Sequence, residues 1–170
     1  MDYMKFQKSV EADIRSIMKI IKQAQDYFKE QGIDQWQNNY PNPDTIKNDI
    51  NKEEGYVLIE DNEILGTAAV SFKGEKTYDN IYDGKWLSNE KFVVIHRIAV
   101  NSNLKGKGLA GEIIKNVEKL CLDKNVHSIK MDTHEDNISM QNSLKKNGFK
   151  YCGVIYLEDK SKRIAFEKLI

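Results

Sequence analysis

The chain has 170 residues, 40% of them hydrophobic and 31% charged, a size and balance suited to one ordinary domain around a single core. Its 26 basic residues equal its 26 acidic ones, so no chain-wide field is available to hold a nucleic acid or an anionic membrane. No apolar run approaches the ~20 residues of a membrane span, and the opening MDYMKFQKSVEAD lacks the apolar core of a signal peptide, so the expectation is a cytoplasmic protein with no membrane or nucleic-acid partner.

Taken in chain order, MKFQK reads as a short strand, after which Ser9 is placed to cap a helix carrying Ile14, Ile17, Met18, Ile21, Ala24 and Phe28 at helical spacing. That helix is expected to stop near Gly32. The loop GIDQWQNNYPNPD follows, broken by Pro41 and Pro43, with Asp44 poised to cap a second short helix, TIKNDINKEE. A hairpin comes next: YVLIE, a turn at Asp61 and Asn62, then ILGTAAVSF. The connection KGEKTYDNIYDGKWLSNEK is long and aromatic, with Tyr78, Tyr82 and Trp86, and is either an extension of the hairpin or a functional loop. FVVIHRIAV, residues 92–100, is apolar on both faces and is the candidate central strand.

NLKGKGLAGEII then leads into a helix whose stripe is Leu109, Ala110, Ile113, Ile114, Val117, Leu120 and Cys121. SIKMD is a strand, THEDN a loop, ISMQNSLKKN a helix closed by Gly148, and FKYCGVIYL with KRIAFEK a final strand pair. The order predicts a mixed α+β fold with one parallel crossover. The two cysteines, Cys121 in a helical stripe and Cys152 in an apolar strand, read as buried thiols rather than a disulfide.

Gly106, Gly108 and Gly111 stand in G-x-G-x-x-G spacing at a helix start, where backbone N–H groups and aligned dipoles favour an anion, with Lys105 and Lys107 alongside. A dinucleotide reading gains from Asp132, which lies 21 residues beyond Gly111. It loses because NSNLK separates Val100 from Gly106 and because most of the chain precedes the fingerprint. The Walker pattern fails, since Glu112 follows Gly111 where lysine is required. A tight turn with two solvated lysines is the plain alternative.

IAVNSNLKGKGLAGEII resembles motif A of the GCN5-related N-acetyltransferases, with Lys105, Gly108 and Ala110 on the pattern Arg/Gln-x-x-Gly-x-Gly/Ala and lysine in place of the usual Arg or Gln. DNISMQNSLKKNGF resembles motif B of the same family, with Asn137 at its asparagine and Gly148-Phe149 at its Gly-Phe ending. The resemblance implies a mostly antiparallel central sheet with a parallel strand pair splayed at the cofactor site and helices on both faces. It also implies acetyl-CoA as cosubstrate, its pantetheine arm paired with Ile98, Ala99 and Val100. The pyrophosphate would rest on the N–H groups of Lys105, Gly106, Lys107, Gly108, Leu109 and Ala110, with Asn137 and Ser143 as further coenzyme contacts. The acceptor would be a small-molecule or peptide amine, and a homodimer is a common family arrangement.

Acetyl transfer needs a neutral amine, a stabilised oxyanion and a proton for the departing thiolate. By the resemblance, the oxyanion donor is the N–H of Ile98. The family's acid tyrosine falls on Leu144, which puts the standard acid in doubt and keeps open a noncatalytic acyl-CoA-binding module, with a dinucleotide oxidoreductase third. His134 and Glu135, after the strand SIKMD, are candidates for taking the amine's proton, against a solvated loop pair as the alternative. HEDNI fails H-E-x-x-H at Ile138, so no metal is expected. His96, beside Arg97 in an apolar strand, is read first as a structural hydrogen-bonding group. Gln35, Trp36 and Tyr40 are the candidate acceptor contacts; for Trp36 and Tyr40 core anchoring is the favoured reading and an aromatic wall the second, and Tyr82 and Trp86 carry the same ambiguity.

Overall fold

The computed structural model describes residues 3–104 and 106–170; Lys105, expected at the phosphate, lies outside the described residues. The elements are β1 (Lys5–Lys8), α1 (Ile14–Glu30), α2 (Pro43–Asn51), β2 (Gly55–Glu60), β3 (Glu63–Ser71), β4 (Val93–Val100), α3 (Leu109–Asp123), β5 (Ser128–Thr133), α4 (Ile138–Lys146), β6 (Lys150–Tyr156) and β7 (Lys162–Leu169). Strand order is β1-β2-β3-β4-β5-β7-β6, mostly antiparallel, with β4 and β5 parallel through Val93↔Ile129 and Val94↔Lys130. This is the mixed α+β arrangement expected from the sequence. The chain forms two compact units, Met1–Val70 with His96–Asn116, and Ser71–Ile95 with Val117–Ile170.

In the first unit, Ile17, Ile20 and Ile21 of α1 pack with Ile46 of α2, Val57 of β2 and Ala99 of β4. Ser9 does not cap α1. Its N–H donates to Gly55 O at 2.9 Å, which prolongs the pairing with β2, and a 3-10 turn at Glu11–Asp13 delays the helix. Asp13 then closes that turn by accepting from Val10 N–H at 2.8 Å. The cap of α2 is Asn42 rather than Asp44: its Oδ1 accepts from Thr45 N–H at 3.0 Å while Pro43 takes the first helical position. Asp44 instead places its charge in the first turn, where the helix dipole favours it. Between β2 and β3, Asp61 and Asn62 both have positive φ, the pattern of a two-residue hairpin turn.

In the second unit, the long connection after β3 is a cover for the polar face of β5 rather than a hairpin extension. Ser128, Lys130 and Asp132 alternate along β5 and therefore share a face. The Lys130 ammonium sits over the rings of Trp86 and Phe92 at 4.2 and 4.0 Å, and Asp132 accepts from the Tyr78 hydroxyl at 2.5 Å. Across the pairing with β7, the fully buried Glu167 accepts from Leu87 N–H, Ser88 Oγ–H and Ser128 Oγ–H, each at 2.7 Å. Further along, Tyr82 makes a two-bond bridge with Val154 of β6, at 2.8 and 2.7 Å. Gly153 permits that approach, since a Cβ there would stand 2.5 Å from Tyr82 O. Cys121 and Cys152 are buried free thiols, as expected.

Replacing Glu167 by alanine leaves three donors without their acceptor, the buried Ser128 hydroxyl among them, and removes the carboxylate opposite the buried Lys130. The expected loss is about 3–5 kcal/mol of unfolding free energy, read by urea denaturation. Glu167→Gln, which keeps the volume and one acceptor, should lose less; equal losses would mean that volume and the retained acceptor contribute nothing and that the whole effect lies in the charged carboxylate.

Candidate active site

The first unit brings together the end of β4, the loop after it and the start of α3. Within β4 the residues before and after Arg97 are extended, but Arg97 itself has φ +50°. A left-handed, non-glycine residue inside a strand costs on the order of 1–3 kcal/mol and persists only where its surroundings hold it. The hold is visible. Arg97 Nε and Nη2 donate to the two carboxylate oxygens of Asp49 at 2.8 and 2.5 Å, and Nη1 donates to the Tyr40 hydroxyl at 3.0 Å. The pair is largely withdrawn from water, with side-chain exposures of 17% for Arg97 and 7% for Asp49. Burial alone would lower the guanidinium pKa, but the bonds from Asp49 and Tyr40 outweigh it and hold Arg97 charged.

Tyr40 belongs to a loop that is itself tied down. Gln25 of α1 donates to Tyr40 O and Pro41 O at 3.0 and 3.1 Å, and Gln37 donates to Gln25 O and Gln35 O at 3.2 and 3.0 Å. Trp36 stands edge-on to Phe28 at 5.8 Å and packs against the α1–α2 core, so its indole anchors the loop. Tyr40 is exposed and Gln35 half-buried.

After Val100 the chain leaves the strand through a 3-10 turn at Ser102–Leu104. Asn101 N–H bonds Leu65 O at 2.8 Å, Ser102 N–H bonds Gln23 Oε1 at 2.9 Å, and Leu104 N–H bonds Asn101 O at 2.9 Å. Those donors are spent on the protein. Among the described residues, the first backbone bond from α3 back to this loop is Glu112 N–H to Gly108 O at 3.0 Å. Leu109, Ala110 and Gly111 thus present N–H groups at the positive end of α3. Gly106 and Gly108 have φ +83° and +70°, and a Cβ built on either would meet nothing within 4 Å. Their glycine requirement is therefore backbone conformation plus open space at the helix start, which suits a phosphate drawn up to the backbone. Lys107 is exposed beside them. Ile98 and Ala99 are buried and Val100 half-buried.

His96 sits just before the kink. Burial first, then the Arg97 and Lys52 cations, bring its pKa from 6.5 down to about 4. It is neutral at physiological pH and a weak base.

In the second unit, Asn137 caps α4 by accepting from Met140 N–H at 3.1 Å, the capping role its position suggested. Gln141 holds the loop before it by donating to His134 O and Glu135 O at 3.3 and 2.8 Å. His134 Nδ1 accepts from Asp136 N–H at 3.0 Å, which leaves the proton of the neutral ring on Nε2. Its lone pair is thus occupied locally. Glu135 is exposed at the loop tip and pairs with Lys162 at 3.0 Å. Ser143 is half-buried, while Leu144, at the family's tyrosine position, is buried in the core. Among the described residues no group of three or more His, Cys, Asp or Glu side chains could hold a metal ion, and no helix is long and apolar enough to cross a membrane.

Two groups escaped the sequence. Arg97 and Asp49 are 48 residues apart, and nothing in an apolar strand signals a reversed φ. The Tyr78–Asp132 pair links positions 54 apart; burial first, then the Asp132 carboxylate, pushes the Tyr78 hydroxyl well above 10, so it stays a donor.

The lowered pKa of His96 has a signed consequence. Unfolded, the ring takes a proton near pH 6.5; folded, it does so near 4, so the unfolded state binds more protons between these values. Stability should fall as pH drops through that window, by up to ~3 kcal/mol from this group. Proton NMR of the His96 ring checks it: the Cε1–H shift should stay at its neutral value down to about pH 5, and a midpoint near 6.5 would show an open, solvated ring.

A family model described as Acetyltransferase (GNAT) family matches residues 21–149. An acetyltransferase of the GNAT family from Streptococcus agalactiae 2603 is similar in structure, with TM-score 0.89, 35% identity, and coverage of 98% of this chain and 95% of that one. A GNAT-family acetyltransferase from Listeria monocytogenes 4b F2365 shares the fold at TM-score 0.74 and 19% identity, covering 98% and 95%. So does the PaiA N-acetyltransferase from Thermoplasma acidophilum in complex with coenzyme A, at 0.70 and 15%, covering 99% of both chains. No curated protein sequence matches the chain.

Proposed function

The chain belongs to the GNAT acetyltransferase family, and on that premise we propose that it transfers an acetyl group from acetyl-CoA to an amine of a small molecule or peptide, by direct attack in a ternary complex. The observation that carries this reading is the start of α3: two left-handed glycines with open space above them and unspent N–H groups at a helix N-terminus. Coenzyme A in the Thermoplasma relative supports the same choice over a dinucleotide. The whole chain acts as one acetyltransferase domain.

In this reading the N–H groups from Lys105 to Ala110 hold the pyrophosphate, with the Lys105 and Lys107 side chains adding charge, and Ile98, Ala99 and Val100 pair with the pantetheine arm. Ile98 N–H donates to the thioester oxygen as negative charge gathers there. As the C–N bond forms and the C–S bond breaks, the amine gives up a proton and the leaving thiolate takes one from water. Glu135 is assigned the amine's proton, because His134 already accepts a bond at Nδ1. Asn137 and Ser143 are coenzyme contacts, and Gln35 and Tyr40 face the acceptor from the loop that Trp36 anchors. One observation favours a second reading. With Leu144 buried where the family carries its acid, the chain could be an acyl-CoA-binding module without turnover.

Calorimetry separates these readings. Acetyl-CoA should bind with micromolar affinity and NADH should not, and Gly108→Trp, which fills the open space, should abolish binding while leaving the fold intact by circular dichroism. Absence of acetyl-CoA binding by the wild type would overturn the assignment. Turnover is checked by thiol release across an amine panel. Glu135→Gln should lower kcat by about 10²-fold or more; binding without thiol release from any amine would establish the module instead.

A further inference from the structure

The reversed φ at Arg97 stands immediately before the N–H assigned to the thioester oxygen. A strand points successive peptide N–H groups alternately to its two edges, and one left-handed residue breaks that alternation. The direction of the Ile98 N–H is therefore set by the conformation of Arg97. That conformation is in turn fixed from outside the strand, by three hydrogen bonds from the Arg97 side chain to a buried carboxylate on α2 and to Tyr40.

We propose that Arg97, Asp49 and Tyr40 form a clamp that positions the Ile98 N–H, so that Arg97 and Asp49 are positioning residues for acetyl transfer. The inference rests on the role given to Ile98 above. Several features carry it. The pair is bidentate, so it fixes the rotation of the guanidinium as well as its distance. Asp49 sits on the second turn of α2, a helix with its own complete cap at Asn42, so the anchor is rigid. Tyr40 is held through its carbonyl by Gln25 of α1, so the third bond also ends on a fixed group. The clamp thereby links the loop of the acceptor contacts to the backbone atom that meets the acyl group. Neither Arg97 nor Asp49 is placed to touch the coenzyme's phosphates, whose loop begins beyond Ser102.

The test needs no acceptor. The bound probe is acetyl-CoA labelled with carbon-13 at the acetyl carbonyl, and the readout is its isotope-edited infrared C=O band, which moves to lower wavenumber when a hydrogen bond polarises it. In the wild type the band should lie below that of free acetyl-CoA. In Arg97→Ala combined with Asp49→Asn, which removes the clamp without stranding a buried charge and places a residue that disfavours positive φ, at least half of that displacement should be lost. The dissociation constant should change less than about threefold. Arg97→Gly with Asp49→Asn should keep more of the displacement, because glycine adopts the reversed φ freely. If the alanine double variant fails to fold by circular dichroism, Arg97→Lys takes its place: one ammonium cannot reproduce the bidentate bond, and the band should move part of the way back.

A band unchanged in the alanine double variant, or in Arg97→Lys where that stands in, overturns the clamp while leaving the acetyl-CoA assignment intact. A wild-type band at the free position removes the role of Ile98 and the clamp with it. Failure of the wild type to bind acetyl-CoA is seen first, by calorimetry, and overturns the functional reading itself.

Discussion

In the proposed reading, the chemistry of this chain depends on a strand that stops behaving as one. A regular β-strand commits its polar backbone to its neighbours, and a backbone so committed has nothing to offer a ligand. At Arg97 the commitment is interrupted by a conformation that arginine does not adopt unaided, held by a buried ion pair to α2. Burying such a pair gives little net stability, since desolvation consumes most of the attraction. Its value is geometric. The guanidinium of Arg97 has one satisfactory orientation against Asp49, and the strand must follow it.

The start of α3 shows the complementary arrangement. There the loop spends the N–H groups of Asn101, Ser102 and Leu104 on its own structure and releases those that follow. In the proposed reading, a phosphate held at this end meets N–H groups already aimed by the first turn of α3.

Legibility in the sequence follows range. β4, α3, β5 and α4 were readable because their signals are local: an apolar run, a helical stripe, a cap at Asn137 and a glycine at Gly148. The hairpin turn was equally local at Asp61 and Asn62. The misreading at Ser9 came from a backbone N–H claimed by the distant Gly55, which the local pattern does not show, whereas at Asp44 the cap stood two residues earlier, at Asn42 ahead of Pro43, where the signal was local. Trp36 was ambiguous because an indole serves as wall or anchor, and only its edge contact with Phe28 decides for the anchor. The clamp at Arg97 and the cover over β5 were not readable at all. Each depends on a charge meeting partners 38 to 80 residues away, which periodicity does not encode.

The bridge between Tyr82 and Val154 bears on how copies of this chain can meet. β6 ends the strand order, and a terminal strand with free donors and acceptors is a template for another chain's strand. Here the chain's own long connection occupies both bonding groups of Val154, and Gly153 admits it so closely that any side chain at that position would expel it. The molecule thus blunts one end of its sheet with its own backbone. A dimer built by running two sheets together across the middle of β6 is thereby disfavoured, because the main-chain groups it would need are already paired within the chain.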